Sequence, residues 1–161
     1  MRHRQIARTV LRASFVLGLV LAAGAMPLRA DFEEGLAAYN AGDFAAAAEA
    51  WRSLAEEGDV AAQVALAGLY SSGLGVPLDG PEAARLYRAA AEQGDAVAQL
   101  NLGDFYSRDL GVQRDLVQAY LWLSLAAEQG RSWARRKRDE IAAQLSAEEL
   151  AEAEGLIAER R

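Results

Sequence analysis

Cysteine is absent from all 161 residues of the chain, and histidine and lysine occur once each, as His3 and Lys137. Without cysteine the protein can form neither a disulfide nor a thiol nucleophile. With its one histidine at position 3, the body of the chain can hold neither a serine–histidine–aspartate triad nor a zinc site of histidine and cysteine ligands. Only carboxylate, serine or tyrosine chemistry remains open, and we expect no metal and no cofactor.

Acidic residues are absent from the first 30 positions, which hold five arginines and, at residues 13–26, the apolar run ASFVLGLVLAAGAM. A basic start, a short apolar centre and a small residue before a polar region are typical of a secretory signal peptide, which predicts cleavage after Ala30. The run has 14 residues, whereas a membrane-spanning helix needs about 20. We therefore expect a periplasmic or secreted protein without stable membrane insertion after residues 1–30 are removed. A retained membrane anchor is the alternative.

The remaining residues, 31–161, carry a strong negative charge. They hold 12 basic and 23 acidic residues, a net charge of −11. Such a charge disfavours nonspecific binding to nucleic acid or to anionic membranes. The segment is long enough for one ordinary domain, which must be stabilised by packing alone.

Two segments, 59–94 and 95–130, align without a gap over 36 residues with 16 identities. Both end in AAEQG, and a shorter first unit, 31–58, ends in LAEEG. A fixed period in the thirties is typical of stacked helical hairpins. The final glycine predicts a left-handed residue that ends the second helix of each hairpin.

Each repeat predicts two helices. The first helix begins after an N-cap aspartate, Asp59 or Asp95. Its inward stripe has i, i+4, i+8 spacing and consists of Ala62, Leu66 and Tyr70 in one repeat and Ala98, Leu102 and Tyr106 in the next. The second begins at predicted capping boxes, Asp79 with Glu82 and Asp115 with Gln118, and buries Ala83, Leu86 and Ala90, or Ala119, Trp122 and Ala126.

After Gly130 the repeat pattern decays. A helix over 131–145 is predicted, with an inward stripe of Trp133, Lys137, Ile141 and Leu145. The sequence SAEE at 146–149 predicts a capping box and a last helix. That helix has a polar outer face, as the end of a stack of repeats requires.

The repeats resemble the SEL-one-like repeat, a relative of the tetratricopeptide repeat. The first full copy matches it in Ala62, Gln63, Leu66, Tyr70, the loop GLGV, Asp79, Ala83 and AAEQG, and the second in Gln99, Leu102, Gly103, Tyr106, LGV, Asp115, Ala119 and AAEQG. Two positions depart from the pattern: Ala67 replaces a usual glycine, and Asp109 stands where Gly73 is the loop glycine. Aspartate tolerates left-handed geometry better than most residues, so we expect the second loop to form.

The resemblance implies an all-α fold, a right-handed superhelix of antiparallel hairpins. It divides the chain into a tetratricopeptide-like first hairpin (31–58), two SEL-one-like repeats (59–94 and 95–130) and C-terminal capping helices (131–161). It also implies a concave face, lined by the first helices, that binds a peptide or a partner protein. The helical positions that we predict on this face are Val64, Gly68, Ser71, Leu100, Asp104, Ser107 and Arg108, with Ala61 and Val97 beside them.

The sequence therefore favours an exported scaffold or adaptor rather than an enzyme, with a second candidate surface at Arg131–Arg138, which holds five positive charges and Trp133. The alternative interpretation of this segment is purely structural: Trp133 lies in the core, and the cations pair with nearby acids. The alternative function is a carboxylate-based cell-wall enzyme or enzyme-associated module using Glu92 and Glu128. These two glutamates occupy equivalent repeat positions, so we expect them exposed and about 10 Å apart, beyond the spacing of most paired glycosidase acids.

Overall fold

The computed structural model describes residues 27–160, which form eight α-helices and no strand. The helices are α1 (Pro27–Asn40), α2 (Phe44–Glu56), α3 (Val60–Ser72), α4 (Gly80–Glu92), α5 (Ala96–Arg108), α6 (Leu116–Glu128), α7 (Ser132–Ala142) and α8 (Ala147–Glu159). Consecutive helices pack together from α1 to α7, and α8 packs on α6. The predicted all-α stack of hairpins is confirmed. The apolar run at 13–26 lies outside the described residues, and the predicted cleavage site after Ala30 falls within α1.

Five of the helices have an aspartate as N-cap: Asp43, Asp59, Asp79, Asp95 and Asp115. The side chain of each accepts a hydrogen bond, at 2.7–3.0 Å, from the backbone N–H of the residue three positions later. This bond satisfies one of the N–H groups that a helix start leaves without a partner. The predicted N-caps are therefore confirmed.

A complete capping box forms at the start of α8, where Ser146 and Glu149 bond each other's backbone N–H. These bonds hold the pKa of Glu149 below its usual value. The capping box predicted at Asp79 forms only in part. The Asp79 side chain accepts a bond from the Glu82 N–H, but the Glu82 carboxylate accepts two bonds from Arg85, at 2.6 and 2.8 Å, and does not return to Asp79. The hydrogen bonds from Arg85 lower the pKa of Glu82.

The glycines that end the repeats have the predicted left-handed conformation, with φ of +93° at Gly58, +92° at Gly94 and +85° at Gly130. The next residue closes the turn, as in the bond from Asp59 N–H to the Leu54 carbonyl at 2.9 Å. In the α5–α6 loop, Asp109 is also left-handed, at φ +60°, and its carboxylate accepts a bond from the Arg114 N–H. The loop expected to tolerate aspartate does so.

The glutamine of AAEQG connects neighbouring repeats, a role that the sequence did not reveal. Gln129 Nε2 donates to the Gly94 carbonyl and to Gln99 Oε1, both at 2.9 Å. Buried Gln99 in turn donates to the Ala91 carbonyl of the preceding repeat. Gln93 and Gln63 repeat the arrangement one period earlier, with bonds to Gly58 and Ala55. Buried amides are tolerated here because these hydrogen bonds replace those lost to water.

The core runs through the whole stack and is rich in alanine and leucine. The second helices bury all six predicted residues, and Leu66 and Leu102 are buried in the first helices. Tyr70 and Tyr106, predicted to complete the inward stripe, are only half-buried. Leu69 and Phe105, one position earlier, are buried instead, because the buried face of a helix drifts round its axis over two turns.

The prediction that Trp133 belongs to the core is wrong, since 41% of its surface is exposed. Ala134 is fully buried in its place, together with Ile141, against a cluster that includes Ala119, Leu123 and Ala126 of α6. A surface built largely of alanines lets α7 approach closely, and the remaining space fits a methyl group rather than an indole.

The last helix closes the stack by packing on α6. Ala153 and Ile157 are buried as predicted, while Leu150 is half-buried. The Arg160 guanidinium lies 5.3 Å from the ring centre of Trp122, a favourable cation–π distance. Within residues 27–160, no helix has the length and apolar character that a membrane span requires.

Candidate functional site

Glycines fix how the first helices of the units correspond in space. A β-carbon at Gly35 of α1 would overlap the Trp51 indole, and one at Gly103 of α5 would lie 2.7 Å from Leu123 Cγ. Trp51 and Leu123 occupy the same position of their second helices. Gly35, Ala67 and Gly103 are therefore equivalent. The outer positions then correspond as Phe32, Val64 and Leu100; Leu36, Gly68 and Asp104; Tyr39, Ser71 and Ser107; and Asn40, Ser72 and Arg108.

A groove of about 370 Å³ lies between α1 and α3. Its lining comprises Phe32, Leu36 and Tyr39 of α1, Trp51 of α2, Val64, Ala65, Gly68, Leu69 and Ser72 of α3, and Leu74 of the following loop. None of these residues is charged. An uncharged, aromatic groove on a strongly acidic protein is suited to an apolar side chain.

The groove forms because large residues of α1 face small residues of α3. Phe32 stacks on Trp51 with ring centres 5.7 Å apart, and Trp51 Nε1 donates to the Phe32 carbonyl at 3.2 Å. Tyr39 meets Phe44 edge-on at 5.1 Å. These contacts hold the aromatic wall in place. Opposite it, Gly68 has no side chain to fill the groove, and a β-carbon there would have only the Tyr87 hydroxyl within 4 Å, at 3.9 Å.

The α1 side of this groove is not among the residues predicted from the sequence. The face predicted from the sequence began at α3, because the first unit is shorter than the two full repeats. Gly35 was the available signal, since it aligns α1 with α5 and places Phe32 and Leu36 on the same face as Val64 and Gly68.

The predicted residues of α3 have different surroundings. Val64 and Gly68 line the groove. Ser71 donates a hydrogen bond to the Gly68 carbonyl at 2.9 Å and also bonds the Tyr87 hydroxyl, so its side chain is engaged inside the hairpin. Burial raises the pKa of Tyr87, and the bond with Ser71 opposes the rise.

The predicted residues of α5 form a charged part of the same face. Asp104 Oδ2 accepts a bond from Arg108 Nη1 at 3.0 Å. Ser107 donates to the Asp104 carbonyl at 2.8 Å. Leu100 is half-buried and packs against the cluster formed with α6 and α7. The face therefore changes from apolar at α1 to charged at α5.

The basic segment 131–138 is partly neutralised by acids of α7. Lys137 pairs with Glu140 at 3.2 Å and Arg138 with Asp139 at 2.6 Å. Among the described residues Arg131, Arg135 and Arg136 form no ion pair with an acid, and all three are exposed.

Glu92 and Glu128, the candidate catalytic pair, are both exposed. A general acid needs burial in an apolar site to raise its pKa, and neither glutamate has such a site. A second cleft, of about 250 Å³, is polar and lies between α2, α3 and α4, where it includes Arg52, Tyr70, Glu82 and Arg85. The Tyr70 hydroxyl raises the pKa of Arg52 through a hydrogen bond. No group of three or more potential metal ligands occurs in residues 27–160.

Comparison with known proteins places these features in a family. The sequence profile of the Sel1 repeat matches residues 60–95 and 96–130. The crystal structure of a Sel1 repeat protein from Oxalobacter formigenes is 32% identical, with a TM-score of 0.65 over 71% of this chain and 89% of that one. No curated protein matches the sequence.

A second structure is that of a protective antigen present in uropathogenic Escherichia coli strains, which displays an SLR fold. It is 33% identical, with a TM-score of 0.77 over 83% of this chain. The match spans only 29% of the antigen's own length. No catalytic family is evident among these matches. The paired repeats, the left-handed glycines that end them and the likeness to both structures show that the chain belongs to the Sel1 repeat family.

Proposed function

We propose that this protein is a scaffold that binds an extended segment of a partner protein in the groove between α1 and α3, with contacts that continue onto α5. The observation that supports this function most directly is the groove itself, an uncharged aromatic cleft on an acidic, repeat-built protein. Its walls are held by the stacking of Phe32 on Trp51 before any partner arrives, which reduces the entropic cost of binding.

The test is to fill the groove without disturbing the fold. A β-carbon at Gly68 has ordinary room, with the Tyr87 hydroxyl 3.9 Å away, and leucine favours a helix more than glycine does. Gly68→Leu is therefore expected to unfold at the same temperature as the wild type or higher. It should weaken binding of peptides selected on the wild-type protein at least tenfold, as measured by fluorescence anisotropy.

Gly155→Leu is the matched control. Gly155 lies in α8 with open space around it, so this variant makes the same exchange at a helical site away from the groove. It should keep wild-type affinity. Equal affinity of the wild type and both variants would show that the groove is not the binding site.

The location of the protein is also part of the proposal. The basic, then apolar N-terminal segment supports export, and a structural relative is described as a protective antigen of a bacterial pathogen. Mass spectrometry of the N-terminus, after expression in a Gram-negative host, should find a periplasmic protein that begins at Asp31. An intact N-terminus in the membrane fraction would instead support a retained anchor.

A further inference from the structure

The ion pair on α5 presents mainly its positive member to a partner. The Asp104 side chain is 18% exposed, whereas that of Arg108 is 60% exposed. The carboxylate is recessed and engaged by Arg108 at 3.0 Å. A guanidinium has five N–H donors, so Arg108 keeps free donors while Asp104 holds it in position. This part of the face is suited to an anionic group.

Arg108 also has a defined place relative to the groove. It occupies the position on α5 that Ser72 occupies on α3, and Ser72 lines the groove. The first helices of neighbouring hairpins are separated by at least one helix width, about 10 Å, and an extended chain advances about 3.3 Å per residue. A peptide with one side chain in the groove therefore reaches Arg108 about three residues further along.

Arg108 is the cation of this face that lies on α5 itself, whereas the neighbouring Arg114 belongs to the α5–α6 loop. The Asp109 carboxylate accepts a bond from the Arg114 N–H, and the Arg114 guanidinium donates to the Ser107 carbonyl and to Gln144. The N–H groups of Asp109 and Leu110 both donate to the Phe105 carbonyl. They are therefore not available to form a backbone nest of the kind that captures the carboxylate of a chain terminus.

We propose that the segment bound in the groove carries a large apolar side chain and, about three residues away, an aspartate or glutamate that binds Arg108. This inference rests on the proposed function and adds the chemistry and the spacing of the ligand. The acidic residue lies within the segment rather than at its end. Charge-assisted bonds from a guanidinium to a carboxylate supply both affinity and register.

The experiment is a selection of random peptides displayed with both ends joined to linkers, carried out on the full chain. Selected segments should share an apolar residue and an acidic residue about three positions apart. An acetylated and amidated synthetic copy should lose affinity about tenfold on Glu→Gln replacement in the peptide, and about tenfold on Arg108→Glu in the protein. A Glu→Lys peptide should regain affinity for Arg108→Glu.

Arg85→Glu is the control, since Arg85 is the exposed member of a comparable ion pair with Glu82 on α4. It should leave affinity unchanged. Thermal unfolding of Arg108→Glu should stay close to that of the wild type, because the Arg108 side chain is 60% exposed and an exposed charge contributes little to stability.

If the selected segments lost affinity for Gly68→Leu but bound Arg108→Glu as tightly as the wild type, the acidic-ligand inference would be overturned and the proposed function would stand. Segments that bind only with a free C-terminal carboxylate would overturn the assignment to an internal side chain. Failure to select any segment that depends on the groove would overturn both proposals.

Discussion

Replacing Leu102 with alanine is expected to lower the free energy of unfolding by about 2–5 kcal/mol. Leu102 is fully buried in the core cluster that extends from α2 to α8. The truncation removes apolar surface from a close-packed interior and leaves a cavity that the neighbouring helices fill only in part. Urea denaturation followed by circular dichroism measures the change.

Two leucines provide graded controls for this prediction. Leu78, in the loop between α3 and α4, is 72% exposed, so Leu78→Ala should change stability by less than about 0.5 kcal/mol. Leu100 is half-buried on the outer side of α5, and its truncation should fall between the two. A loss at Leu78 as large as that at Leu102 would contradict the assignment of buried faces.

Replacing Gly111 with alanine is expected to lower stability by more than the strain of a left-handed alanine alone would. Gly111 has φ of +79°, and a β-carbon there would overlap the carbonyl group of Gly80 and lie 2.5 Å from the Pro81 nitrogen. Backbone atoms cannot turn aside as a flexible side chain can. The loop must therefore separate from the start of α4, with a loss well above the roughly 1–2 kcal/mol of left-handed strain. Gly111→Val should be at least as damaging.

Gly94→Ala separates the cost of left-handed strain from the cost of steric overlap. Gly94 has a similar φ of +92° but open space around it, so the substitution adds only conformational strain. Gly75→Ala should behave like Gly111→Ala, because a β-carbon at Gly75 would overlap the backbone at the start of α2. If thermal melts showed the same loss for Gly94→Ala and Gly111→Ala, close approach of the loop to the preceding repeat would not matter for stability.

The sequence by itself determined the elements of the fold whose causes are local. Each depends on neighbours along the chain. Such elements are an aspartate three residues before the N–H that it caps, a glycine that must be left-handed, and a 36-residue period. The roles of Asp59, Asp95, Gly94 and Gly130 therefore follow from the order of the residues alone. The family resemblance rests on the same local motifs.

Only the tertiary structure decided which surfaces meet. Trp133 and Ala134 are adjacent in the chain, and the alanine-lined surface of α6 selects the smaller one for the core. The groove needs Phe32 of α1 to stand opposite Gly68 of α3, and the relative exposure of Asp104 and Arg108 depends on how α5 packs. Packing joins residues that are far apart in sequence, and its outcome depends on the fit of several helices at once.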